Sequence, residues 1–515
     1  MKKVLLIIID ALTARVVNPA LAAGRLPNLR RLQEAADVCT ESIAIFPSIT
    51  PAATSSIITG RYPRCHGISG AYWYIAEEKK VIYYGYDIWA VLEEGIGKFL
   101  KDFLVELNEK QLHAPTLFQM VENTGSATAS LNYLIYHGDQ THEASLPFWL
   151  KVLSNTELPP VIHGPELLYF GDVVQTPLSS GKTLEAPGGM FNRYGFADNT
   201  TAELLIQLIH ENKLPDFTLA YFPENDFRSH EVGPEAALDK LEALDEQFGR
   251  IFAAFGGLSE MLSAVSVVLT GDHSQSDVVK ETKAAGIRLD QLLSSFSIAA
   301  AGTPMANEDD LVVCPNLRTA QIYFHTPTPA YIDQVMTLLL QDERVDQVLW
   351  RTKPVDRDSA VYHVVTQDRG HVQFWAGSDG PRTAQDTFGG KWSWEGDLTA
   401  VDGKVDSNGC LTFGDYPNAF ERSAGILDLE TSGHLWVTSR PGYEFCLEHT
   451  LIHAGGGSHG SLHELDSRSP LWIAGAPHDF SLPPQLRSVD VVPLCLSILD
   501  IAGEFQPGDS RMVKS

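Results

Sequence analysis

The chain has 515 residues, 44% of them hydrophobic and 20% charged, with a formal net charge of -27 at neutral pH. That is a globular composition, long enough for one large core plus an inserted or appended lobe, and it argues against a disordered chain. An acidic surface repels nucleic-acid backbones and anionic bilayers, so neither a nucleic acid duplex nor a membrane is expected as partner, and a phosphate-bearing substrate must be drawn in by local positive charge.

In chain order, KVLLIIID (3–10) reads as a continuously apolar strand buried on both faces. MKKVLLIII followed by NPALAAG imitates a secretory leader, but the apolar core is short and is interrupted by Asp10, which favours a first core strand. The six cysteines, at 39, 65, 314, 410, 446 and 495, form no CxxC pair and suit a reducing compartment, so the expected location is cytoplasmic. SIAIFPS (42–48) reads as a second strand, and Thr50-Pro51 as the N-cap and first-turn proline of a helix. ATASLNYLI (127–135), FTLAYFPEND (217–226) and SVVLTGD (266–272) continue the strand series. Between the last two, Ala237, Leu241, Leu244, Phe248, Ile251, Phe252 and Phe255 recur at helical spacing, and strand, helix, strand implies a right-handed parallel crossover.

The pattern changes after about residue 305. Segment 311–375 reads as a compact α+β cap, with strand RTAQIYFHT, helix PAYIDQVMTLLLQDE and strands VDQVLWR and AVYHVVTQ. Residues 376–440 are rich in Gly, Asp and Trp without periodicity, as expected of a loop-rich excursion. SPLWIAGAP (469–477) reads as a return to the main sheet and 485–503 as a closing helix. The expected organisation is a catalytic α/β core in two parts, 1–305 and 441–515, with a cap region at 306–440.

Five short segments supply candidate chemistry: Asp10, Thr50, Asp226 with His230, Asp272 with His273, and His459. Mixed carboxylate and imidazole donors suit zinc, and several of these residues follow apolar runs, so strands of one parallel sheet would bring them to its carboxyl edge. A threonine opening a helix suits attack on phosphorus, because orphan N–H groups and the helix dipole favour the developing anion. Taken alone, Thr-Pro starts a helix far more often than it performs catalysis, a surface Asp and a solvated His explain 226 and 230 slightly better than a metal site does, and His453 and His463 compete with His459.

Context changes the balance. FPSITPAATSSIITGRYPRCHGISG (46–70) resembles the nucleophile region of the alkaline phosphatase superfamily, in particular the type I phosphodiesterases/nucleotide pyrophosphatases, where a catalytic Thr lies nine residues before the Thr of a TG-x-YP-x-x-HG run; here Thr50 precedes Thr59 by nine. PENDFRSHEVGP (223–234) resembles the family's P-D-x-x-G-H-x-x-GP segment, TGDHS (270–274) its S-D-H-G, and GGGSHG (455–460) its late H-G segment. The resemblance implies an α/β three-layer sandwich with a mostly parallel central sheet, alkaline phosphatase-like, and a small α+β cap. It implies one zinc on Asp226, His230 and His459, and another on Asp10, Asp272 and His273 with Thr50 bridging toward it; the same donors accept manganese or iron. The implied activity is hydrolysis of a small phosphate ester, nucleotides included, through a phosphothreonine, with phosphomonoesterase or phosphonate hydrolase as the neighbouring alternatives and an inactive metal-binding relative as the third. The chain departs from the pattern at Ala53, where these phosphodiesterases usually carry Asn.

Overall fold

In the computed structural model the opening strand, Lys3–Ile9, lies inside a sheet of eight strands. The structure describes residues 2–84, 101–143, 161–353, 360–477, 480 and 482–501. Val4, Leu6 and Ile8 enter one apolar cluster and Leu5, Ile7 and Ile9 another, all of them buried. Successive side chains of a strand point to opposite faces, so a run that is apolar at every position needs cover on both sides. Helices Thr50–Thr59, Leu117–Glu122 and Val491–Ile498 cover one face. Helices Ala14–Ala22, Pro27–Glu34, Asp198–His210 and Leu238–Ala254 cover the other. The result is the three-layer sandwich.

Phe217–Phe222 and Val265–Thr270 flank the opening strand in parallel, and Thr128–Leu131 and Leu167–Phe170 extend the parallel part. Arg468–Ala474 runs antiparallel beside Val265–Thr270, Ala36–Ile43 closes that edge, and Val174–Gln175 closes the other. The second strand is therefore not 42–48 but 36–43. It is an edge strand with exposed Asp37, Thr40 and Glu41, a pattern that apolar periodicity does not detect. The apolar residues after it turn away from the sheet: Phe46 packs edge-on against Trp436, with ring centroids 5.4 Å apart.

Residues 311–439 form a second sheet of ten strands, ordered Leu311–Asn316, Thr319–Phe324, Leu435–Ser439, Val345–Thr352, Val361–Val365, His371–Ala376, Lys391–Gly396, Arg382–Asp386, Cys410–Phe413 and Gly403–Val405. Segment 376–440, expected to be loop-rich, instead supplies strands and the helix Ala419–Leu427. Its strands are only three to six residues long and are separated by turns such as 386–390, where Asp386 accepts from the N–H groups of Phe388 and Gly390 and from the indole of Trp392. Strands that short carry too few repeats for alternation to stand out. The expected closing helix is Val491–Ile498 preceded by a turn of 3₁₀ helix, and residues 502 and 503 lie outside the described residues. All six cysteines are free thiols.

The second sheet buttresses the loops of the first. Phe46 and Leu462, on either side of the rim, enter the apolar cluster built by Trp392, Trp394, Phe420 and Trp436. Arg422, fully buried, donates to the carbonyls of Ile45, Leu462 and Pro417 and to Ser467 Oγ; burial pushes its guanidinium down to about 9, so it stays protonated at neutral pH. Arg318 pairs with Asp466, both wholly buried, and its backbone N–H donates to the His459 carbonyl. Removing one partner of a buried pair leaves the other charge uncompensated, at a cost of about 3–5 kcal/mol. Arg318→Met is thus expected to lower stability by that order in a urea titration, whereas Arg15→Met, in a partly exposed pair with Asp277, is expected to change it by under about 1 kcal/mol.

Candidate active site

The parallel strands deliver carboxylates to one rim. Asp10 directly follows Lys3–Ile9, and Asp272 lies two residues beyond Val265–Thr270. Asp226, expected at the end of a strand 217–226, and His230 both lie on the helix Glu224–Val232, one turn apart and therefore on one face. His459 follows the short strand Gly457–Ser458, which pairs with Ser276–Asp277 just past His273. Thr50 is not the N-cap of its helix; Ile49 holds that position, and no side chain caps the end. The Thr50 hydroxyl is thereby left to the site, with Oγ1 3.0 Å from His273 Nε2.

The seven residues converge. Donor atoms of Asp10, Asp272 and His273 lie within 4.8 Å of one another, as do those of Asp226, His273 and His459. His230 Nε2 is 3.3 Å from His459 Nε2 and 3.5 Å from Asp226 Oδ2. His273, assigned from the sequence to one ion only, stands between the two groups and stacks on His459 with ring centroids 3.8 Å apart. Of the competing histidines, His463 caps the helix Glu464–Ser467, and His453 is bound through Nδ1 to Glu444, its ring against His230.

A layer of hydrogen bonds orients these donors. Nδ1 of His230, His273 and His459 donates to the carbonyls of Gly457, Ser274 and Ser48, which leaves each Nε2 with its lone pair facing inward. Each carboxylate has one oxygen held by a donor. Tyr221 Oη donates to Asp10 Oδ2, Gln275 Nε2 to Asp226 Oδ1, and the N–H groups of Ala11 and His273 to Asp272 Oδ1. Asp10 Oδ1 and Asp272 Oδ2 are buried without a hydrogen-bond partner among the described residues. Three buried carboxylates, two of them with an unpartnered oxygen, beside three imidazoles form a donor set that fits divalent cations.

The electrostatics agree. Burial, then the charges of Asp272 and Asp226, hold the Asp10 carboxyl well above the ordinary carboxylate range, and burial also raises Asp272. Burial, then the neighbouring His273 and His230, push His459 well below the ordinary imidazole value, so it stays neutral and able to ligate.

Sequence reasoning missed Tyr221, Gln275 and Asn225. Asn225 donates to the carbonyls of Asp10 and Ala11 and pins the turn after the first strand. For Asn225 and Gln275 the only available signal was a polar residue one or two positions from a candidate ligand; Tyr221, inside an apolar strand and five residues before Asp226, gave none. Ala53 is wholly buried in the apolar cluster under the helix, where an Asn would meet hydrocarbon. Tyr72, Trp73 and Tyr74 form a buried strand that packs the core. Asn192, Arg193 and Asp198 line a separate polar recess of about 290 Å³ with Glu224, Lys240 and Gln247. In the TGRYPRCHG run, His66 accepts from the Ile68 N–H at Nδ1 and so donates from Nε2 to Ser56 Oγ, which clamps the helix that Thr50 opens.

The family model for type I phosphodiesterase/nucleotide pyrophosphatase matches residues 4–462. A search of curated proteins finds no match. Among solved structures, murine ectonucleotide pyrophosphatase/phosphodiesterase 5 is similar, with 12% identity over 97% of this chain and 96% of that chain and a TM-score of 0.54. An inactive form of that protein in complex with AMP gives 12% identity over 98% and 96%, at 0.54. Phosphonoacetate hydrolase from Sinorhizobium meliloti 1021, in complex with phosphonoformate, gives 15% identity over 97% and 96%, at 0.55. At these identities the likeness to solved structures is one of fold, and it is the family model, spanning most of the chain, that assigns the protein: it belongs to the type I phosphodiesterase/nucleotide pyrophosphatase family of phosphoester hydrolases.

Proposed function

We infer that this chain hydrolyses phosphodiesters or nucleotide pyrophosphates with Thr50 as the nucleophile, at a site that takes two divalent cations, read as zinc because mixed carboxylate and imidazole donors suit it. The observation that carries this is the position of Thr50: its hydroxyl opens a helix, caps nothing, and lies 3.0 Å from Nε2 of His273, the residue that both donor groups share.

Asp226, His230 and His459 would hold one ion and Asp10, Asp272 and His273 the other, as the sequence assigns them. Cations seated there supply Lewis acidity, easing loss of the threonine proton and neutralising charge on the leaving oxygen. Without a cation, Nδ1 of His273 donates to Ser274 and the Thr50 hydroxyl donates to Nε2; with a cation at Nε2, the lone pair that accepts this bond is taken and the hydroxyl is freed to face the substrate. Thr50 Oγ1 gives up its proton to solvent and forms a bond to phosphorus as the bond to the alcohol or nucleotide fragment breaks, and that fragment leaves with a proton from solvent. Water then attacks the phosphothreonine, restoring the hydroxyl and releasing phosphate or a phosphomonoester. Splitting one hydrolysis into two displacements lowers each barrier, and the start of the helix Thr50–Thr59 offers backbone N–H groups to the phosphoryl oxygens. A phosphonate substrate is the second reading, favoured by the fold shared with phosphonoacetate hydrolase.

Protein purified without chelator is expected to carry two zinc ions per chain and to turn over bis-p-nitrophenyl phosphate faster than p-nitrophenyl phosphate or phosphonoacetate; a reversed order would move the assignment to the monoester or phosphonate. Thr50→Ala is expected to lower kcat by about three orders of magnitude or more with an unchanged circular dichroism spectrum. Residual activity within tenfold of the parent would remove Thr50 from the mechanism.

The raised carboxyls give metal binding a pH dependence of definite sign. In metal-free protein Asp10 and Asp272 keep protons above the ordinary carboxylate range, and an entering cation must displace them. Zinc affinity should therefore rise with pH, by about tenfold per unit for each proton displaced, until both ionise unaided. The same raised values favour the folded metal-free protein at low pH, and that contribution is lost as pH rises through them. The gain in melting temperature on adding zinc should accordingly be larger at pH 8 than at pH 6, as differential scanning fluorimetry would show.

A further inference from the structure

On the strength of the two-cation reading above, we propose that Gln275 is a positioning residue that sets the carboxylate of Asp226 and thereby governs the occupancy of one of the two cation seats. Gln275 lies two residues after His273, is wholly buried, and donates its side-chain Nε2 to Asp226 Oδ1. Its own backbone is fixed at both ends: the N–H donates to Thr13 Oγ1 at 3.2 Å, and the carbonyl accepts from the Arg15 guanidinium at 3.2 Å. The amide is further confined by Gly457, where a Cβ would stand 2.3 Å from Gln275 Oε1. The Gly457 carbonyl is the one that accepts from His230 Nδ1.

Gln275 thus sits where three elements meet: the helix that carries Asp226 and His230, the strand that leads to His459, and the turn that carries Asp272 and His273. Its Oε1 has no hydrogen-bond partner among the described residues, while its Nε2 meets a carboxylate. A buried amide with an idle acceptor is poorly explained by packing, since an apolar side chain of the same shape would leave nothing unsatisfied. It is well explained if the donor is needed. With one oxygen of Asp226 held, the carboxylate cannot rotate freely, and Oδ2 stays 3.5 Å from His230 Nε2. A glutamate at 275 would place a further negative charge beside Asp226; the amide orients it without adding one.

The two seats differ in how much they depend on this bond. Asp10 and Asp272 both serve one seat and are held by Tyr221 and by the backbone of Ala11 and His273. Asp226 is the only carboxylate of the other. Losing a hydrogen bond behind a ligating group typically weakens metal affinity by about 10–100-fold, and here the loss should fall on a single seat.

The test is a titration of chelator-stripped protein with Co(II), followed by visible absorption and by competition with a chromophoric chelator. The parent is expected to bind two ions. Gln275→Met, close in shape but without a donor, is expected to bind one ion with unchanged affinity and the second at least about tenfold more weakly. Gln275→Asn, which keeps the polarity but withdraws the donor by one methylene, should do the same and serves if the methionine variant fails to fold. In an Asp226→Asn background, adding Gln275→Met should change the affinity no further. If both single variants bind two ions as tightly as the parent, or lower only the melting temperature, the role assigned to Gln275 is wrong while the two-cation site stands. If the parent itself binds fewer than two ions, it is the reading of the site that fails.

Discussion

Three carboxylates, Asp10, Asp226 and Asp272, are gathered at one rim of the central sheet and withdrawn from water, each at most 4% exposed. Charges so placed repel one another and have lost their hydration, a combination that proteins tolerate only with counter-charge. Much of the surrounding structure serves this arrangement. Parallel strands bring Asp10 and Asp272 to the same edge, a helix turns Asp226 and His230 onto one face, and backbone carbonyls fix three imidazoles so that their free nitrogens point inward. The net acidity of the chain makes the point sharper, because the attraction for an anionic ester has to come from local positive charge.

The second sheet has a structural part in that arrangement. Thr50 and His459 do not emerge from the parallel strands; Thr50 opens a helix at the end of one loop and His459 sits on another. Phe46 and Leu462 anchor those loops in the apolar cluster of the second sheet, and Arg422 bridges them through the carbonyls of Ile45 and Leu462. Arg318 holds the His459 carbonyl from the turn between the strands Leu311–Asn316 and Thr319–Phe324 of that same sheet. Reactive geometry must be kept to within a fraction of an ångström, which calls for a shell that is itself rigid. Buried guanidiniums bound to several loops at once supply that rigidity, though they are costly to bury.

Legibility in the sequence followed the range of the interaction. The buried strands Lys3–Ile9, Phe217–Phe222 and Val265–Thr270 were readable because both faces are apolar, and the helix Leu238–Ala254 because its stripe is strong. The edge strand Ala36–Ile43 was not, since one edge is unpaired and half its side chains are wet. The short strands between 376 and 440 escaped because each holds only a few residues, and their alternation emerges only when neighbours pair. The motif segments placed seven candidate residues, and the structure brings all seven together; the orienting residues Tyr221, Asn225 and Gln275 left no such trace, because a donor behind a ligand is defined by direction rather than by spacing.

The sequence by itself determined which residues could do chemistry and where the chain would stop being apolar, because strand burial and motif register are local properties written in consecutive side chains. Tertiary structure alone decided that the Thr50 hydroxyl is released from capping, that Asp226 and His230 share a helix face, and that His273 stands between two donor groups rather than within one. Those outcomes depend on contacts between segments up to hundreds of residues apart, whose distances and angles are set by how the two sheets pack.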